Sequence, residues 1–151
     1  MGKGSDKNTS NSLISETFST LLSCQQKMSY SISKQIKAFG ITRQQHEVLS
    51  ILNENSEKPM NLNEVKSQLR ENVPDISRIV QRLVEKGLIR RSRQLVDRRH
   101  SAISINKEGV NLLHQIEPTI KANMDDFFGI LSKDELEELA RIIKKVNQNK
   151  D

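Results

Sequence analysis

Seven arginines fall between residues 78 and 99, at Arg78, Arg82, Arg90, Arg91, Arg93, Arg98 and Arg99, and Lys86 joins them. Only Glu85 and Asp97 oppose them over residues 78–100, so that stretch carries a net charge of +6. Residues 1–77 carry +1 and residues 101–151 carry −2, which places the whole excess of this +5 chain in one short segment. A solvated helix face mixes its signs, and this segment does not. A guanidinium offers a rigid fork of donors that matches phosphate oxygens and the guanine edge. The chemistry these residues suit is the binding of a polyanion.

Other chemistries lack their residues. There is no phosphate-cradling glycine loop, no G-x-S-x-G and no H-E-x-x-H, and His46, His100 and His114 stand far apart. No enzyme, metal site or cofactor is expected. The single cysteine, Cys24, cannot form an internal disulfide and fits a reducing compartment. No run of 18 apolar residues occurs and the opening "MGKGSDKNTS" is polar. Neither a membrane span nor a signal peptide is expected, and the chain is read as cytoplasmic. At 151 residues, with no Trp and one Tyr, it suits one domain with a lean core that an oligomer would supplement.

The elements that must position the arginines follow from periodicity and caps. Residues 1–11 are rich in Lys, Ser, Asn and Gly and are expected to form a disordered tail. Phe18, Leu21, Leu22, Met28, Ile32 and Ile36 recur at helical spacing, predicting one long helix from residue 12 to about Phe39, ended by Gly40. Thr42 with Gln45, Asn61 with Glu64 and Ser132 with Glu135 have the spacing of capping boxes and predict three helix starts. "NENSEKPM" reads as a polar loop between the first two.

In "ENVPDISRIVQRLVEKGLIRR" Asn72 is the expected N-cap, Pro74 lies in the first turn and Gly87 is the stop. At about 100° per residue, Ile76, Ile79, Val80 and Leu83 share one arc, while Arg78, Gln81, Arg82 and Glu85 share the other. This short amphipathic helix, preceded by another across a tight connection, reads as the second helix of a helix-turn-helix. Leu88–Arg93 and Ser101–Ile105 then read as strands flanking "QLVDRRH", a β-hairpin with charge at its tip. Asn106 is expected to cap a helix through Leu112, Ile116 and Ile120, with Pro118 as a kink.

Helix-turn-helix plus arginine-tipped hairpin is a winged helix, and here the chain resembles the MarR family of bacterial transcription regulators. "DISRIVQRLVEKGLIRR" resembles the family's recognition helix and first wing strand, and "DRRHSAISINKEG" its D-x-R wing followed by L-T-x-x-G. Asp97 and Arg99 fill the D and R positions, and Ile105, Asn106 and Gly109 stand where the family has Leu, Thr and Gly. The resemblance spans about residues 12–148. It implies a mainly α fold with a small β-hairpin: a winged helix-turn-helix over 41–106, flanked by dimerisation helices over 12–40 and 107–148, in a single domain. Pro74 and Asp75 depart from the small hydroxyl residues usual there.

The implied function is that of a DNA-binding transcription regulator, acting as a homodimer on a pseudo-palindromic site of double-stranded DNA. Asn72, Asp75, Ser77, Arg78 and Arg82 are the candidates to reach bases or phosphates. Arg78 is the foremost, because it lies near the helix N-terminus. Asp75 is able to accept from cytosine or to cap the helix. Arg90, Arg91 and Arg93 suit phosphate or structural contacts. Arg98 and Arg99 would sit at or in the minor groove, where A·T-rich segments concentrate negative potential. Asp97 would orient a neighbouring arginine. The resemblance further implies a small aromatic effector between the dimer helices and the winged module, with Met28, Ile32, His46 and Leu49 as candidate lining. Two alternatives stay open: a thiol-based sensor acting through Cys24, and a winged-helix module whose arginines bind an acidic protein.

Overall fold

A computed structural model describes residues 3–93 and 101–148. In order, the elements are α1 (Lys3–Lys37), α2 (Arg43–Glu54), α3 (Leu62–Gln68), α4 (Ile76–Glu85), β1 (Ile89–Arg93), β2 (Ser101–Ile105), α5 (Lys107–Phe128) and α6 (Lys133–Asn147). The mainly α fold with one antiparallel hairpin is the one expected. Among the described residues no helix is long and apolar enough to cross a membrane.

α1 begins at Lys3, so residues 3–11 are helical where a disordered tail was expected. No proline precedes Pro59, and extending an existing helix adds a hydrogen bond for each residue fixed, whereas nucleation bears the cost. The helix stops at Lys37, and the turn after it uses Gly40 at φ +79°, a conformation that suits glycine. α2 is the central support. It packs against α1, α3, α4, α5 and β2, and Val48, Leu49 and Leu52 are buried on it. Ile36 of α1, Val65 of α3, Val80 and Leu83 of α4, Ile103 of β2 and Ile116 of α5 join them in the fully buried centre.

Three helices open on full capping boxes as their spacing predicts. Thr42, Asn61 and Ser132 accept from the backbone N–H groups of Gln45, Glu64 and Glu135, whose side chains accept in return from the cap N–H groups. α4 differs: its N-cap is Asp75, whose Oδ1 accepts from Arg78 N–H at 3.0 Å, and Asn72 is exposed and does not cap. Val73 explains the shift. It precedes Pro74, which disfavours helical backbone at that residue, and its side chain is buried, which anchors the chain before the helix begins.

The hairpin pairs Ile89 with Ile105, Arg91 with Ile103 and Arg93 with Ser101. One strand residue was hidden in the sequence. Met60, assigned there to a polar loop, is buried and exchanges two backbone hydrogen bonds with Ile103, 2.9 and 2.8 Å long. The hairpin is thereby tied to the segment entering α3.

The "INKEG" segment joins wing to helix. Asn106 caps α5 through Gly109 N–H at 2.9 Å, and its Nδ2 also donates to the Gly87 carbonyl at 2.6 Å. α5 then runs through Pro118 without ending. At Gly109 a Cβ would meet the Leu88 carbonyl oxygen at 2.3 Å and Ile105 Cγ1 at 2.7 Å. Glycine is needed there for close approach, since the obstructing oxygen is backbone. Gly109→Ala is expected to lower stability by about 1–3 kcal/mol, the usual cost of overpacking. Denaturant unfolding of the two proteins checks this.

Candidate nucleic-acid interface

α4 turns one face inward and offers the other. Ile76, Val80 and Leu83 are buried, Ile79 and Val84 half-buried, and Ser77, Arg78, Gln81, Arg82 and Glu85 exposed. The wheel drawn from the sequence is therefore the one observed. Gln81 Nε2 donates to Glu85 Oε1 at 3.1 Å along this outer face, leaving Arg78 and Arg82 as its cations. Directly after Gly87, at φ +70°, the chain enters β1, where Arg90 and Arg91 are also exposed. Seven residues separate Arg82 from Arg90, and one helix with its adjoining strand carries four exposed arginines.

Other site residues divide clearly. Asp75 is exposed at the first turn of α4, and its carboxylate is occupied by the cap. Asn72 and Ser77 are exposed beside it. Arg93 closes β1 opposite Ser101. Asp97, Arg98 and Arg99, the expected wing tip, lie outside the described residues. Asp75→Ala is expected to lose about 0.5–2 kcal/mol of stability, and Asp75→Asn, which caps equally well, to retain it. Thermal unfolding of the three proteins distinguishes the cap from a purely DNA-facing acid.

The turn before α4 is held by charged groups that sequence reasoning did not single out. Glu47 of α2 accepts from Arg70 N–H at 2.9 Å. Arg43, at the start of α2, pairs with Glu71 and also donates to Ser29 Oγ of α1 at 3.2 Å. The partners of Arg43 lie 14 and 28 residues away, so no local motif signals them.

The candidate effector residues differ in burial. Leu49 is fully buried, Ile32 packs against the core, and Met28 is half-buried on α1. His46 lines a cleft of about 500 Å³ between α2 and α5, which also holds His114, Glu54, Glu117 and Lys121. Among the described residues no group of three or more His, Cys, Asp or Glu is placed to hold a metal ion. Cys24 is exposed in the middle of α1.

Burial holds the His46 imidazole below its ordinary pKa of 6.5; Glu47 opposes the shift and Arg70 adds to it. The folded chain therefore takes up this proton at lower pH than the unfolded chain does. The contribution is complete above 6.5 and is lost as the pH falls from there through the folded value. His46→Gln is expected to flatten that decline, which thermal unfolding on either side of about pH 6.5 measures.

A buried-faced second helix, its supporting helix and an arginine-bearing hairpin define a winged helix-turn-helix protein. Residues 41–101 match the MarR family, and over that stretch the chain is similar to those proteins. It is 27% identical over 118 residues to the HTH-type transcriptional regulator MhqR of Bacillus subtilis, covering 78% of this chain and 80% of MhqR. Its fold is similar to that of a putative MarR-like transcription regulator from Bacillus cereus, with a TM-score of 0.82, 15% identity, and coverage of 90% and 96% of the two chains. It is similar also to a mutant Escherichia coli MarR solved in complex with operator DNA, with a TM-score of 0.75, 22% identity, and coverage of 88% and 94%.

Proposed function

We propose that the protein binds double-stranded DNA sequence-specifically as a two-fold homodimer, represses by occluding a promoter in the cytoplasm, and is released by a small-molecule effector; it is not an enzyme. The observation that carries this reading is the exposed arginine face of α4, continued by Arg90 and Arg91 on β1, in a fold shared with a MarR protein solved on operator DNA. α4 lies in the major groove, with Arg78 reaching a base edge and Arg82, Arg91 and Arg93 meeting phosphates. Asn72, Ser77 and the capped Asp75 line its entry. Arg98 and Arg99 of the wing enter or flank the minor groove, oriented by Asp97.

The dimer is supported by apolar surface left unused. Leu13, Ile14, Phe18, Leu21 and Leu22 of α1 are exposed, and α6 has no buried residue at all while exposing Leu136, Ile142, Ile143 and Val146. Patches of this kind mark an interface. Pairing them about a two-fold axis sets two recognition helices roughly 34 Å apart, one turn of duplex. Leu136→Glu combined with Ile143→Glu is expected to yield a monomer in analytical ultracentrifugation, where the parent chain sediments as a dimer. A monomeric parent would overturn this part.

Selection from a random duplex pool tests the function. The expected product is an inverted repeat with half-sites about one turn apart. Arg78→Ala is expected to cost about 1–3 kcal/mol and to relax preference at one base pair of each half-site. Arg99→Ala is expected to weaken binding through the flanking minor groove. A pool that shows no enrichment would contradict the proposal.

A further inference from the structure

A cleft of about 740 Å³ opens behind the outer face of α4, where the C-terminal end of α1, the first turn of α2 and the later turns of α4 converge. Four cations line it, Lys37, Arg43, Arg82 and Lys86, against the single carboxylate of Glu71. They come from three separate stretches of chain, so folding makes the cluster. The first turn of α2 adds backbone donors beside the same space. Thr42 accepts the N–H groups of Gln45 and His46, while those of Arg43 and Gln44, the first of α2, have no partner among the described residues. Gln45 also lines the cleft; it is only 4% exposed, and its Oε1 accepts from Thr42 N–H at 3.0 Å. Helix N-terminal N–H groups and guanidinium forks both suit anionic oxygens.

We infer that this cleft binds a small, multiply charged oxyanion, a phosphate ester or a polycarboxylate. The charge of the lining sets the sign of the ligand. Ser29, Ser33 and Thr42 contribute hydroxyls, and Ile41, itself 3% exposed, is the one apolar side chain in the lining. An oxyanion finds donors there from three helices. Arg43 gives the site a consequence. It ties α1 to the turn before α4 by donating to Ser29 and pairing with Glu71. An incoming oxyanion competes with Glu71 for Arg43, which loosens the turn that aims α4, and it draws Arg82 toward the cleft. That effect on DNA binding rests on the function proposed above; the binding of the anion does not.

Isothermal titration calorimetry of the full chain with pyrophosphate, with citrate and with acetate, at equal ionic strength and without DNA, tests the site. Saturable binding of pyrophosphate or citrate is expected, and whichever binds identifies the phosphate or polycarboxylate class. Lys37→Ala, an exposed position on α1 away from the outer face of α4, is expected to weaken that binding about tenfold, as loss of one charged hydrogen-bond donor does. Arg43→Gln, checked for folding by its thermal transition, is expected to weaken it likewise. The inference is overturned by no saturable binding of either anion, by acetate binding equally well, or by binding unchanged in both variants, which would place the anion on the outer arginines. Release of duplex DNA by the same anion from the parent chain, and not from Lys37→Ala, would extend the result to regulation. A chain that binds the anion and no DNA would overturn the proposed function and leave the site standing.

Discussion

The orientation of α4 depends on three side chains. Ile76, Val80 and Leu83 are buried against the core centred on α2, and each fully buried aliphatic side chain contributes about 1.5–3 kcal/mol relative to exposure. Rotating the helix by one residue, about 100°, would bring them to water and turn Arg78 or Arg82 inward, where an unpaired cation is strongly disfavoured. Apolar burial and charge exclusion therefore select the same rotation. The arginines face outward because no other setting of this sequence is stable.

Around that helix the structure spends its polar contacts on placement rather than on chemistry. Asp75 satisfies the Arg78 N–H at the front of α4, and Gly87 turns the chain at its back. Asn106 then binds that turn to the start of α5, and Met60 binds β2 to the approach of α3. α1 is joined to these elements through the Ser29–Arg43–Glu71 contacts and through Asn123, which donates to Ser31 Oγ at 2.6 Å.

Much of this was legible in the sequence where the signal is local. Capping boxes at spacing three, the 3.6-residue stripe of α4, and glycine at the two left-handed turns each constrain a few neighbouring residues, and each was found where expected. Signals that need distant partners were not legible. Met60 is a one-residue strand following Pro59 in a polar stretch, so period-two alternation has no length in which to show. The cationic cleft draws Lys37, Arg43 and Arg82 from three elements, and Leu49 reads equally well as cleft lining or as core until its burial is known. The N-cap of α4 moved from Asn72 to Asp75 because the tertiary burial of Val73, together with Pro74, outweighs the intrinsic suitability of asparagine.

The central claim is that an outward arginine face, fixed by core packing, meets a duplex backbone. The salt dependence of affinity for a duplex examines it most directly, because each phosphate neutralised releases condensed counterions. The account predicts a linear fall of log K with log salt concentration, with a slope of about −0.9 for each phosphate contacted. Removing Arg82 should make the slope shallower by about 1 without changing which sequence is preferred. A flat dependence, with Arg82 dispensable, would contradict the account and turn the arginines toward an acidic protein surface instead.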